Sequence, residues 1–258
     1  MNGSSDEDRL RTATQAAAAA GAVIRKGWVD GRPHARAKAN ALDLVTQVDV
    51  EAEVAAVRVI REAFPLDGIV SEEQTALAGS TGYEWVIDPL DGTLNFVSGI
   101  PHFCVSIACR LNRDTVAGVI LDPLRHETFA TTPGAGCNWT ALQDPVPERA
   151  TLHLSTWSLR LADDSERSRI GSWQRHVRPQ IGGLRWVGSL ALALAWTALG
   201  RFDALFYESP YRAWDYAAGE LLCAEAGLAV VHMPARDQLL PAIAVVPAAW
   251  ESLLEALL

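Results

Sequence analysis

Between Gln47 and Ala63 the apolar residues Ala52, Ala55, Ala56, Val59, Ile60 and Ala63 recur at the spacing of one helical face, and Phe64-Pro65 closes the segment. This pattern predicts an amphipathic helix packed on another layer. "GIVSEE", from Gly68, reads as a short strand that ends in acid, and Trp85-Val86-Ile87 as a buried strand that Pro89 helps to end. "HFCVSIACRL" and "TVAGVIL" read as further buried strands, with "HETFAT" as a partner after a Pro-containing turn. An alanine-rich run, Ala16 to Ile24, belongs to a first helix. The first half is therefore expected to be helices laid on a largely antiparallel sheet.

The second half alternates strand and helix. Ser189 is a plausible N-cap for "LALALAWTAL", Gly200 its stop, "RFDALFYE" a strand, and a last helix runs from about Trp214 to Gly227. The Pro-rich "QDPVPERA", Gln143 to Ala150, is the best boundary between the two halves. The expected division is an α+β lobe over 1–145 and an α/β lobe over 146–258.

At 258 residues and 49% hydrophobic, the chain can bury a large core. With 22 Lys+Arg against 31 Asp+Glu, its formal charge of −9 offers no basic surface for a phosphate backbone, so nucleic acid is not an expected ligand. An acidic protein acting on anions needs bound cations. The run from Ala16 to Ile24 is too short to span a bilayer and lacks signal-peptide flanks, so no membrane partner is expected. Cys104, Cys109, Cys137 and Cys223 show no metal or disulfide spacing and read as reduced thiols, which places the chain in the cytoplasm.

Candidate chemistry lies in acids at the ends of elements: Asp49, Glu72, the Asp88/Asp91 pair and Asp215. Carboxylates without His or Cys partners suit a hard cation such as Mg²⁺, which takes oxygen ligands at about 2.0–2.1 Å. Backbone amides at Gly92 and Thr93, at the start of a helical turn, favour an anion beside it. Each feature also has a plain reading. An Asp-Pro-x-Asp-Gly string is a common surface turn, and Asp49 and Asp215 can be simple first-turn acids. "LDPLRH" serves as an internal control: Asp122 there lacks a second carboxylate and the Gly-Thr, and reads as a turn residue only. Glu51, Glu53, Glu73, Glu220 and Glu225 read as solvated or structural charges, and Lys38 as surface.

Taken together, "DLVTQVD", "SEE", "WVIDPLDGTLNF" and "WDYAAGELLCAEAG" resemble, in order, the signature of the inositol monophosphatase family over about residues 38–228. The resemblance implies a layered α/β/α/β/α sandwich of the inositol monophosphatase/fructose-1,6-bisphosphatase type. It also implies lithium-sensitive hydrolysis of a small phosphate monoester, with two to three Mg²⁺ per active site. Glu72, Asp88, the Leu90 carbonyl, Asp91 and Asp215 match the metal ligands, with Glu72 shared by a third, weaker ion. Thr93 and Asp49 match the pair that orients and deprotonates the attacking water, so Asp49, Thr93 and Glu72 form the catalytic set. Gly92 and Thr93 match the phosphate-binding amides.

Gly188, Ser189, Leu190 and Glu208 match the contacts to the substrate alcohol. Inositol monophosphate is the leading substrate, with histidinol phosphate, fructose 1,6-bisphosphate and a 3′-phosphonucleotide as alternatives. A non-catalytic regulatory role is the remaining one. The partner expected besides this metabolite is a second copy, as a homodimer. Two departures concern the pocket rim: Leu94 replaces a small or polar residue, and Trp139 stands where a Gly follows the Asn. Residues 160–179 carry no motif.

Overall fold

A computed structural model describes residues 5–31, 36–37, 44–73, 76–140, 153–158, 183–235 and 241–248. Helix α1 (Asp6–Val29) begins at a capping box: the Ser5 hydroxyl accepts the Asp8 N–H, and the Asp8 carboxylate accepts the Ser5 N–H. Its small apolar face, Ala13, Ala16, Ala17, Ala20 and Ile24, is buried. A Cβ on Gly21 would stand 2.3 Å from Leu121, so the close approach of helix to sheet requires glycine. After the short antiparallel pair β1 (Arg36–Ala37) and β2 (Leu44–Val45), α2 (Gln47–Ala63) follows with the bounds that its periodicity predicts. No helix among the described residues is long and apolar enough to cross a membrane.

The first sheet contains β3 (Gly68–Ser71), β4 (Tyr83–Asp91), β5 (Cys104–Leu111), β6 (Asp114–Asp122), β7 (Glu127–Thr131) and β8 (Asn138–Thr140), side by side in that order. Only β3 and β4 run parallel. Pro89 does not end its strand, contrary to the sequence expectation. Strand β4 continues to Asp91 through a shift of register between Asp88 and Asp91, where a residue lacking an N–H is tolerated and re-aims its neighbours. Gly92 leads into α3 (Thr93–Ser98).

The second sheet is ordered β10-β9-β11-β13-β12, from β9 (His153–Ser158), β10 (Gly183–Arg185), β11 (Ala204–Glu208), β12 (Leu228–Met233) and β13 (Ala242–Pro247). Between the sheets lie α4 (Leu190–Ala198) and α5 (Ala213–Glu225). They pack Ala191, Leu192, Ala195, Ala217, Ala218 and Leu222 against Val86, Ala108, Ile120 and Phe129 of the first sheet. On their other side, Leu194 and Cys223 meet Leu205, Ile243 and Val245. A Cβ on Gly118 would lie 3.1 Å from Ala218 backbone atoms, so helix and sheet meet almost backbone to backbone. Among the described residues the result is α/β/α/β layering, four layers of the sandwich that the resemblance implies. The outer face of the second sheet carries its own buried cluster, Ala204, Phe206, Met233 and Ala244. The expected boundary at Gln143–Ala150, Lys38, residues 160–179 and the Trp139 side chain lie outside the described residues.

His102, in the loop before β5, is 8% exposed and stands edge-on to Trp196 at 4.8 Å between ring centroids. Burial, aided by Arg125, lowers its pKa to about 4. Because its folded pKa lies below its unfolded value, this residue's contribution to stability is complete above about pH 6.5 and lost as pH falls towards 4, on the order of 3 kcal/mol in total. Urea midpoints at pH 7 and pH 5 check this expectation. His102→Phe should flatten the slope between them relative to the parent chain.

Candidate active site

The start of α2 holds Asp49 by local chemistry. Thr46 caps the helix, its hydroxyl accepting the Val48 N–H at 3.1 Å, while Asp49 Oδ2 accepts the Thr46 N–H at 2.9 Å and the Thr46 hydroxyl at 2.5 Å. The other oxygen, Oδ1, accepts from the Thr93 hydroxyl at 2.8 Å. That hydroxyl also lies 3.1 Å from the Leu90 carbonyl. Burial raises the Asp49 pKa against these hydrogen bonds, with the nearby Glu72 charge adding to the rise. A carboxylate with raised basicity, joined to a hydroxyl at the surface of the site, is suited to accept a proton.

Opposite this pair, the end of β3 meets the end of β4. Ser71 is in register with Ile87, and the Glu72 N–H donates to the Ile87 carbonyl at 3.1 Å, so Glu72 comes beside Asp88. Asp88 is 2% exposed. Burial, then the charges of Glu72, Asp91 and Asp215, push its pKa well above the carboxylate range, and it shares a hydrogen bond with Glu72. Burial likewise lifts Asp91 to about 6 and Asp215 to about 8, again with contributions from Glu72. Four carboxylates from three separate elements therefore lie near enough for their charges to act on one another.

Asp91 is also held from the other side. Its Oδ2 accepts the Ser189 hydroxyl at 2.5 Å and the Ala191 N–H at 2.7 Å, which places its charge at the N-terminus of α4. Asp215, in the first turn of α5, accepts the Arg212 N–H at 2.5 Å. Ser106 on β5 donates to the Trp214 carbonyl at 3.0 Å and ties that turn to the first sheet.

Gly92 has φ 98°, and a Cβ there would meet the His102 carbonyl, Phe103 and Ser189 at 3.1–3.3 Å. Asn95 donates to the carbonyls of His102 and Val187, at 2.7 Å each, and packs so closely on Gly188 (φ 75°) that a Cβ there would come within 2.9 Å of its amide. Segment Gly188–Leu190 is thereby fixed beside Gly92 and Thr93. Ser189 and Leu190 are buried, with the Ser189 hydroxyl given to Asp91 and the Leu190 side chain in the core. Glu208 ends β11 and is 2% exposed.

The repeated Asp-Pro-Leu strings allow a direct comparison. Asp88 Oδ1 accepts the Leu90 N–H at 3.0 Å, and Asp122 Oδ1 accepts the Leu124 N–H at the same distance, so both make the same local turn. Asp122 then meets Arg125 at 2.7 Å, whereas the charges that act on Asp88 are those of Glu72, Asp91 and Asp215. Asp122 is a turn residue as expected, yet it is 1% exposed and paired. Among the described residues no Lys or Arg forms an ion pair with Asp88, Asp91 or Asp215. Nor do three His, Cys, Asp or Glu side chains already stand in ligating geometry among them. Hard oxygen donors with too little positive charge around them fit Mg²⁺.

The family model for the inositol monophosphatase family matches residues 5–258. The chain belongs to this family. Its fold agrees: the extragenic suppressor protein SuhB from Bartonella henselae superposes with TM-score 0.84 at 30% identity, covering 96% of this chain and 98% of that one. Inositol monophosphatase from Anabaena (Nostoc) sp. PCC 7120 gives 0.77 at 30% identity, over 97% and 95% of the two chains. By sequence, the family member named Nus factor SuhB in Pasteurella multocida is 37% identical over 223 residues, 84% of this chain and 82% of the relative. The Nus factor SuhB of Escherichia coli strain K12 is 36% identical over 234 residues, with the same coverage.

Sequence reasoning missed the residues that hold the site together: Glu53, Ser71, Asn95, Cys104 and Ser106. Thr46 was legible in principle, since Thr-x-x-Asp before an apolar run is a capping-box pattern. The others act across the fold and leave no local signal. Cys104 lies 3.8 Å from both Asp91 Oδ2 and the Ser189 hydroxyl.

Proposed function

We propose that this chain is a Mg²⁺-dependent phosphomonoesterase acting on a small phosphorylated metabolite, with inositol monophosphate as the leading substrate. The observation that carries the proposal is the contrast between Asp88 and Asp122: the same turn, in one case neutralised by Arg125 and in the other facing Glu72, Asp91 and Asp215. Glu72, Asp88, the Leu90 carbonyl, Asp91 and Asp215 would hold the metal ions. Bound there, such ions supply Lewis-acid polarisation of the phosphoryl group and favour ionisation of water.

The chain's own residues do the rest. Thr93 orients the attacking water through its hydroxyl, and Asp49 takes the proton through the Thr93 contact at 2.8 Å. The amides of Gly92 and Thr93 receive phosphate oxygens, while Gly188–Leu190 and Glu208 face the alcohol. No side chain acts as covalent nucleophile, so attack is in line and from water. Release of inorganic phosphate from inositol 1-phosphate, histidinol phosphate, fructose 1,6-bisphosphate and a 3′,5′-bisphosphonucleotide tests the substrate choice. The highest kcat/KM is expected on the first, and a higher value on another would reassign the substrate. Lithium is expected to inhibit by occupying a cation position without supplying its charge.

Glu208 distinguishes the leading substrate from its rivals. Glu208→Gln should lower kcat/KM on inositol phosphate and leave a small aryl phosphate, which has no hydroxyls to offer, nearly unchanged. If an amino group is the true partner, histidinol phosphate should lose more, by about 1.5–3 kcal/mol for a charge-assisted bond. Equal small effects on all three would place the alcohol elsewhere.

The names of the relatives support a second reading. A Nus factor function assigned to proteins 36–37% identical suggests a binding role independent of turnover. On that reading, Asp91→Asn would abolish phosphate release and spare the binding role. A cytoplasmic homodimer is the expected form, and light scattering at micromolar concentration checks it.

A further inference from the structure

Glu53 lies on α2, one turn beyond Asp49, and its side chain is completely buried. By sequence it reads as a solvated or structural charge. A buried carboxylate has to be held by donors. Its Oε2 accepts from the Ser71 hydroxyl and from the Glu73 N–H, the latter at 3.0 Å. Those donors stand on either side of Glu72, whose own N–H donates to Ile87. The chain is thus held at three successive residues where β3 ends, Ser71 through its hydroxyl and Glu72 and Glu73 through their backbone N–H groups. One face of α2 carries both Asp49, bound to Thr93, and Glu53, bound around Glu72.

We propose that Glu53 is a positioning residue that sets the direction of the Glu72 carboxylate towards the cation site. The proposal rests on the reading of Glu72 as a metal ligand. Residues that hold a ligand from behind usually contribute about 10–100-fold to metal affinity. Without the clamp, the end of β3 is free to rotate Glu72 out of the site. Its link to α2 also fixes the distance between Glu72 and the Asp49–Thr93 pair, so one helix keeps metal ligand and proton acceptor in register.

Calorimetric Mn²⁺ titration of the full chain, with the variants Glu53→Leu, Glu53→Gln, Ser71→Ala and Glu72→Gln, tests the assignment. Glu53→Leu should weaken Mn²⁺ binding by about 10–100-fold, and speed amide exchange at Glu73 in the metal-free protein. Glu53→Gln, whose amide oxygen can accept both hydrogen bonds, should stay closer to the parent, and Ser71→Ala should fall between. In phosphate release, the Mg²⁺ concentration for half-maximal rate should rise while kcat recovers at saturating metal. Parent-like affinity in Glu53→Leu and Ser71→Ala, with Glu72→Gln weakened, overturns the role of Glu53 and leaves the proposed function standing. Parent-like affinity in Glu72→Gln overturns the metal reading of Glu72 and the inference together. If Glu53→Leu does not fold, Ser71→Ala decides: unchanged affinity and unchanged Glu73 exchange overturn the assignment.

Discussion

Asp91→Asn is expected to reduce phosphate release at least about 100-fold, the scale of losing a major electrostatic stabiliser. The aspartate serves two sides at once. One oxygen accepts from Ser189 and Ala191 at the head of α4, and the carboxylate also belongs to the acidic group with Asp88, Glu72 and Asp215. An asparagine cannot satisfy both. With its oxygen towards α4 it turns an NH₂ group to the cation site; reversed, it sets a donor against the Ser189 and Ala191 donors. The first arrangement costs metal affinity and the second costs the helix cap, on the order of 1 kcal/mol. Metal titration and thermal melts on the same variant separate the two.

The comparison variant is Asp122→Asn, which should leave kcat/KM unchanged. Sequence alone also makes it harmless to folding. Its burial and its 2.7 Å pairing with Arg125 correct that expectation: loss of the charge should lower stability by roughly 1–3 kcal/mol. Activity that follows Asp91 and stability that follows Asp122 would express the difference between the two Asp-Pro-Leu turns.

Asp49→Asn is expected to have a comparable effect on rate. A positioned general base contributes typically about 10²–10⁴-fold, and Asp49 is the carboxylate that meets the Thr93 hydroxyl. Its other contacts are acceptor contacts to Thr46, which an amide oxygen can partly retain, so the fold should survive. Thr93→Ala should lose rate without weakening metal binding, because the hydroxyl orients water and is not among the proposed ligands. Thr93→Ser, which keeps the hydroxyl, should recover most of the activity. Measurement of kcat at saturating Mg²⁺ for the three variants checks this. Full activity in Asp49→Asn would remove the proton-acceptor role.

The elements of this fold were legible wherever they obey a local period. Helix α2 follows from its 3.6-residue repeat, and the central strands of the first sheet follow from short apolar runs. The Ser189 cap of α4 and the turn at Gly200 (φ 71°) follow from residue type. Pro89 was misjudged because a lost ladder hydrogen bond ends most strands, whereas here a register shift absorbs it. The acids were legible as a group because their local strings are distinctive. Their supports were not, since these contacts join residues far apart in the chain: Glu53 to Glu73, Asn95 to Val187 and Asp91 to Ala191. No periodicity records such a pairing, and Glu53 looks like any helix-surface glutamate until the fold buries it.

The most direct test of the account is phosphate release from inositol 1-phosphate by the full chain, with and without Mg²⁺, with circular dichroism recorded on the same samples. The account predicts turnover with Mg²⁺, loss of turnover in excess chelator, and the same spectrum in both, because the core between helices and sheets does not depend on the ions. Full turnover in excess chelator would contradict it.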